Sequence, residues 1–248
     1  MLPCFYGSIF LLSKVSNISM KRFVFLLVYS LSIFSITVAQ NFYRISGEFS
    51  IKGKSESSAQ LIMGRFYYDK NEKAIINVNI FPEKATWVTS DTNLYKIIDN
   101  AIVSRQTIPN FTPFSMYHMV LSNQLKNFGL EESIFKLENV ESSDGLVIST
   151  WIPPKSLKKY YGKIMISSKD DKLFGIVFFN TDGVILKKQF FEDYLISSGL
   201  AFPGKITEIT YSDNGKESYQ VTTYRNIVVN DHHDENLYHF AVSDYQQY

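Results

Sequence analysis

The sequence predicts an antiparallel, mainly β protein of about ten or eleven strands with one clear helix. Three observations predict it. Residues 43–95 alternate apolar and polar side chains with a period of two. Residues 112–128 switch to a helical period. The remainder, to residue 229, returns to strand-like runs separated by turn residues. In the first run Ile45, Gly47, Phe49 and Ile51 share one face, and Arg44, Ser46, Glu48, Ser50 and Lys52 share the other. A pleated strand sends successive side chains to opposite faces, so this pattern describes a sheet with a dry side and a wet side. Long strands joined by short turns pair antiparallel, and the apolar face must be covered by something.

In order, the first strand ends near Gly53 and a polar turn spans 54–58. Residues 59–68 form the second strand, with Ile62, Gly64, Phe66 and Tyr68 on one side. Residues 69–72 turn the chain. In the third strand, 75–81, Ile76, Val78 and Ile80 alternate with Asn77 and Asn79, and Pro82-Glu83 ends it. Residues 86–90 and 94–98 are shorter strands around Asp91-Thr92-Asn93. Asp99-Asn100 then leads into a strand over 101–107.

Thr112-Pro113 is a helix start, with a hydroxyl at the N-cap and proline where its missing N–H costs nothing. Phe114, Tyr117, Leu121, Leu125 and Phe128 recur at helical spacing, Met116, Met119 and Val120 widen the stripe, and Gly129 is a natural stop. Two readings of this helix stay open: a permanent cover for the sheet, or a mobile lid, since methionine adapts to varied apolar partners.

Strands follow at 135–140 and 146–151 around Ser142-Ser143-Asp144-Gly145. Ile152-Pro153-Pro154 stops the second, and one helical turn is expected at 156–161. Strands at 163–168 and 173–180 flank Lys169-Asp170-Asp171-Lys172. The second of these is so rich in Phe and Val that burial on both faces is expected. Thr181-Asp182-Gly183 leads to a strand over 184–194. Pro203-Gly204 opens one over 205–211, Asp213-Asn214-Gly215 is a strong hairpin signal, and residues 217–229 close the fold. Residues 230–248 are polar with scattered aromatics and read either as a loose tail or as a strap over the sheet.

The totals narrow the function. The chain has 25 basic and 24 acidic residues, and no stretch is flooded with Lys and Arg, which argues against a nucleic-acid partner. Met20-Lys21-Arg22, the apolar run 23–36 and Thr37-Val38-Ala39 form a signal peptide, with cleavage expected to leave Gln40 first. The apolar run is short for a span, which needs roughly 20 residues. Met20 is a second plausible start. Removing 1–39 takes Lys14, Lys21 and Arg22 and no acidic residue, so the formal charge goes from +1 to −2. It also removes Cys4, the one cysteine, so no disulfide forms. An exported protein without disulfides fits a bacterial periplasm. The expected division is leader 1–39, one β domain 40–229 and a C-terminal tail 230–248.

Chemistry-bearing patterns are sparse. His118 lies in the helix with no acidic neighbour in sequence and reads as structural. His232, His233, Asp234 and His239 have no ligand-like spacing, so no metal is expected. No phosphate loop, dinucleotide fingerprint or nucleophile–base pattern occurs, and the expectation is a non-enzyme without cofactors.

Several short motifs occur in a telling order: Ser46-Gly47-Glu48-Phe49, Gly64-Arg65-Phe66-Tyr67-Tyr68, Pro82-Glu83 before Val88-Thr89-Ser90-Asp91, and Leu94-Tyr95. Phe128-Gly129-Leu130, Trp151-Ile152-Pro153-Pro154, Asp182-Gly183 and Phe202-Pro203-Gly204 continue it. This order resembles the periplasmic lipoprotein carriers of the LolA-like family over most of residues 43–229. The resemblance implies an open antiparallel half-barrel with a helical lid. It also implies a carrier that shelters lipoprotein acyl chains between an inner-membrane, ATP-driven extraction complex and an outer-membrane acceptor. An Arg-Pro pair that the family tends to carry after its second strand is replaced here by Asp69-Lys70, so the gating detail does not transfer. On this reading Phe49, Ile51, Phe66, Val78 and Ile80, with Met116, Met119 and Val120, are expected to line the acyl site; otherwise they are ordinary core. Two alternatives remain: an envelope domain that senses lipid or lipoprotein, and a structural β-protein filled by its own side chains.

Overall fold

The computed structural model describes residues 41–55, 58–212 and 214–247. The leader expected at 1–39 lies outside the described residues. The chain from Phe42 onward forms one compact unit.

Six strands make an opening meander: β1 (Arg44–Lys54), β2 (Ala59–Asp69), β3 (Ala74–Phe81), β4 (Ala85–Ser90), β5 (Asn93–Ile98) and β6 (Ala101–Thr107). A crossover carries α1 (Met116–Leu121), the single α-helix among the described residues. Five more strands follow: β7 (Lys136–Ser143), β8 (Leu146–Ile152), β9 (Ile164–Lys169), β10 (Lys172–Phe179) and β11 (Ile185–Glu192). A small separate hairpin, β12 (Leu195–Ser197) and β13 (Leu200–Phe202), precedes β14 (Lys205–Tyr211) and β15 (Glu217–Val229), and β16 (Gln246–Gln247) is last. Fourteen of these strands form one sheet in the order β16-β6-β5-β4-β3-β2-β1-β15-β14-β11-β10-β9-β8-β7. β1 and β15 pair antiparallel and join the two meanders, while the terminal strands β16 and β7 are at opposite ends of the order. The result is an open, mainly antiparallel half-barrel with a helical lid.

The turns explain the tight connections. Asp99-Asn100, Asp144-Gly145 and Asp170-Asp171 all have positive φ at both positions, as two-residue hairpins require, and Asx and Gly residues reach that region most easily.

Strand alternation sends neighbouring residues to two separate cores. On the inner face Ile45, Phe49, Phe66, Tyr68, Ile75, Trp151, Ile166 and Ile176 pack with Met119, Val120 and Leu121 of α1. On the outer face of the first meander, Ala74, Ile76, Val88, Tyr95, Ile97 and Ile102 form a second cluster. The C-terminal segment is a strap over that second cluster. Tyr238, only 2% exposed, meets Tyr67 edge-on at 5.5 Å, Phe240 packs on Tyr95 at 5.0 Å, and Gln246 pairs with Ala101. The Arg44 guanidinium ties it down. It sits 4.4 Å from the Tyr238 ring, donates to the Asp231 carbonyl at 3.0 Å, and donates to Asp69 Oδ2 at 2.8 Å.

Several expectations need correction. Among the described residues the strands number sixteen rather than ten or eleven: each of the thirteen strand-like runs is a separate strand, residues 195–202 add a hairpin and residues 246–247 a short edge strand. The stretch 112–128 is not one helix. Thr112–Phe114 is a 3-10 turn, and Ser115, not Thr112, caps α1, accepting from His118 N at 3.2 Å. The helix stops at Asn123, which is left-handed (φ 57°). Gln124 N donates to Met119 O and Asn123 N to Val120 O, a Schellman ending two turns earlier than Gly129. The later apolar residues Leu125 and Leu130 are buried by further 3-10 turns, Leu125–Asn127 and Leu130–Glu132. The helical turn expected at 156–161 is a 3-10 turn at Lys155–Leu157. β10 is interior to the sheet, yet only Leu173, Gly175 and Ile176 are buried. Phe178 and Phe179 are half-covered by the ammonium groups of Lys187 and Lys163, at 5.2 and 4.8 Å from the ring centroids.

Candidate apolar ligand groove

The inner face is not filled evenly. Beneath and beside α1 it is packed. Towards the far ends of β1–β4 it opens into a cavity of about 280 Å³. Phe49 and Ile51 of β1 and Ile62 of β2 line it, and Asn77, Asn79 and Trp87 come from β3 and β4. Tyr117 of α1 and Tyr224 of β15 complete the lining. Ile62, Asn79 and Trp87 also line a wider depression of about 640 Å³ that runs out past Leu61, Phe81 and Pro82. The two spaces share residues and form one groove, of the order of the roughly 300–1,000 Å³ that small-molecule sites occupy. At its outer rim Glu83 pairs with Lys96 at 2.7 Å, and the Lys96 ammonium lies 5.5 Å from the Trp87 ring centroid.

The closed end of the groove is an aromatic box. Tyr117 stacks on Phe66 with centroids 4.4 Å apart and planes 20° from parallel. Tyr224 meets the edges or faces of Phe66, Tyr117 and Phe202 at 5.7, 6.3 and 5.2 Å. The Tyr117 and Tyr224 phenols lie close enough to influence each other's ionisation. Burial pushes the Tyr117 phenol well above its usual range and Tyr224 up to about 12, so both stay neutral near pH 7. Tyr117 is therefore the side chain through which α1 meets the groove.

A third, polar pocket of about 190 Å³ lies next to this groove, where Gln60, Glu208, Thr210, Ser218 and Gln220 converge. Gln60 lines both this pocket and the wide depression. The inner face thus passes from apolar to polar across β2 and β1 towards β15 and β14.

The eight residues expected to line an acyl site are dispersed. Phe49 and Ile51 line the cavity. Phe66 is fully buried beneath Tyr117. Met119 and Val120 are core, 2% and 4% exposed, and Met116 packs against the same core. Val78 lies on the outer face against the second cluster, and Ile80 is 57% exposed. Neither lines the cavity, because in β3 the strap covers the Ile76–Val78 side and leaves Asn77 and Asn79 to face inward. Ile62, Trp87, Tyr117 and Tyr224 were not anticipated as lining. The β2–β3 register carries the missing signal: Phe66 stands opposite Asn77 and Tyr68 opposite Ile75, so an inward Phe66 requires an inward Asn77.

The histidines are spread over separate partners. His118 Nδ1 is 2.7 Å from the Tyr68 hydroxyl. His232 meets Tyr43, His233 meets Asp231, and His239 meets Glu72. Among the described residues no group of three His, Cys, Asp or Glu side chains could hold a metal ion.

No protein-family model matches the sequence, and no curated protein matches it. Solved structures do match in fold. A LolA superfamily protein from Nitrosomonas europaea superposes with a TM-score of 0.51 at 13% identity, covering 82% of this chain and 92% of that one. A DUF1329 family protein from Desulfovibrio piger gives 0.57 at 13% identity, over 84% and 93%. A putative outer membrane lipoprotein-sorting protein domain from Vibrio parahaemolyticus gives 0.52 at 11%, over 78% and 88%. At these identities the likeness is one of fold.

Proposed function

We propose that this chain, with the half-barrel fold seen in LolA superfamily proteins, is a periplasmic carrier that shelters lipoprotein acyl chains between the inner and outer membranes. The observation that supports the reading most directly is the apolar groove running from Tyr117 to the Phe81 rim. Each methylene withdrawn from water is worth roughly 0.8 kcal/mol, so an acyl chain of ordinary length needs such shelter to cross an aqueous space. The groove opens to one side, which suits a cargo that must also leave.

On this reading the leader 1–39 directs export. Residues 40–229 form the carrier domain, and the C-terminal tail 230–248 contributes the strap, seen over residues 230–247, that stiffens its outer face. An inner-membrane, ATP-driven complex loads the carrier and an outer-membrane acceptor unloads it. The carrier performs no catalysis and needs no cofactor or metal. The test is transfer: the purified chain is mixed with liposomes bearing a fluorescent lipopeptide, then with acceptor liposomes. Soluble lipopeptide in complex with the chain is the expected result. If the lipopeptide stays in the donor membrane at every protein concentration, the carrier reading fails.

A further inference from the structure

The groove is apolar on its β1 and β2 side but carries two carboxamides on its β3 side. Asn77 and Asn79 are two residues apart on one strand, so both face inward about 7 Å apart. Among the described residues neither side chain makes a hydrogen bond to the protein. None of the cavity's lining residues is charged. Glu83 at the rim is acidic, and the nearby Lys96 is engaged by it.

From this we infer that the groove takes acyl chains in neutral ester or amide linkage, and that Asn77 and Asn79 recognise the linkage rather than the hydrocarbon. The inference rests on the acyl-groove reading and goes beyond it. An ester or amide carbonyl needs one N–H donor, which a carboxamide supplies, and an amide N–H finds the carboxamide oxygen as its acceptor. A fatty carboxylate placed at the same point would lose its hydration with no cation in the lining to replace it, and at the rim it would meet Lys96 already paired with Glu83. Asn77 and Asn79 are half-buried among Ile51, Ile62 and Trp87, and their carboxamides stay open to the groove, free to trade water for a ligand's carbonyl or N–H.

Glycerolipids and acylated proteins share this linkage, and the experiment separates them. The full chain is titrated at a pH of about 8 with monolauroylglycerol, an N-lauroyl tetrapeptide amide, laurate and the hydrocarbon probe diphenylhexatriene, following Trp87 quenching or probe fluorescence. The expected result is that the glyceride, the lipopeptide or both bind at least about tenfold more tightly than laurate, the factor one well-placed hydrogen bond supplies. Whichever of the two binds more tightly identifies the source. In the N77L/N79L variant the preference falls to about threefold or less, while diphenylhexatriene, which also reports folding, binds at least as tightly as to the parent. Laurate binding as well as the neutral ligands, or a preference that survives in the variant, overturns the inference and leaves the groove reading standing. No binding of any of the four probes overturns both.

Discussion

Tyr117 lies flat on Phe66, and its ring meets Tyr224 edge-on, on the strand that joins the two halves of the sheet. One side chain therefore fixes a six-residue helix to β2 and β15 at once. A helix this short has almost no stability of its own, so its position depends on such tertiary contacts.

Truncating that anchor should show it. Tyr117→Ala removes a half-buried ring stacked on Phe66 and should lower unfolding free energy by about 2–4 kcal/mol, whereas Tyr117→Phe keeps the stack and should cost about 1 kcal/mol or less. Urea denaturation of both variants measures the difference. Equal costs would mean that the ring does not carry the contact.

Arg44 is the corresponding fixture on the outer face. Its guanidinium pairs with buried Asp69 and holds the Tyr238 ring and the Asp231 carbonyl. Arg44→Met leaves the Asp69 carboxylate buried without its partner, which should cost about 3–5 kcal/mol. It should also speed amide exchange in residues 231–245, because the strap loses its tie. Destabilisation with no change in strap exchange would separate the two roles.

His118 gives the fold an acid-sensitive point. Burial, and then the nearby Lys70, lower its pKa below the usual value, outweighing Glu132, so the folded state favours the neutral ring. The unfolded chain then binds the proton first as pH falls, and stability drops as pH is lowered through about 6.5 towards the folded pKa. Thermal melts at pH 8 and pH 5.5 should differ less in His118→Gln than in the parent chain. At the alkaline end Tyr224 acts in the opposite direction, and stability should fall between pH of about 10 and about 12 as the unfolded phenol ionises first.

Much of this fold was legible in the sequence because its strands obey local rules. β14 and β15 begin and end where the alternation and the Asn214-Gly215 turn place them. The β12–β13 hairpin has a local signal too: Ser198 and Gly199 both take positive φ between Leu195-Ile196 and Leu200-Ala201. The groove was less legible because β3 is apolar on the side that faces the strap and polar on the side that faces the groove. Hydrophobic alternation names a buried face, and here the buried face of Val78 is covered by residues some 160 positions later. The methionines of α1 pack into the core for a related reason. Residues at helical spacing on a short, deeply seated helix fill the core, and only Tyr117 reaches past it.

Ile62 offers the cleanest way to separate the groove from the fold. It is half-buried and lines both the 280 Å³ cavity and the 640 Å³ depression, so it stands where the two join. In Ile62→Trp the larger ring grows into open groove rather than into packed core, and stability should stay within about 1 kcal/mol of the parent. A threaded acyl chain, however, would meet the indole, and binding should weaken by about tenfold or more, as expected when apolar contact area is lost along the chain. Ile166→Val is the matching control. It lies in the inner core, 2% exposed and outside the lining of either space. It should cost about 1 kcal/mol of stability with binding retained. If the indole at position 62 leaves binding intact while the fold is preserved, acyl chains do not run through this groove, because no ligand could span the junction past a ring of that size.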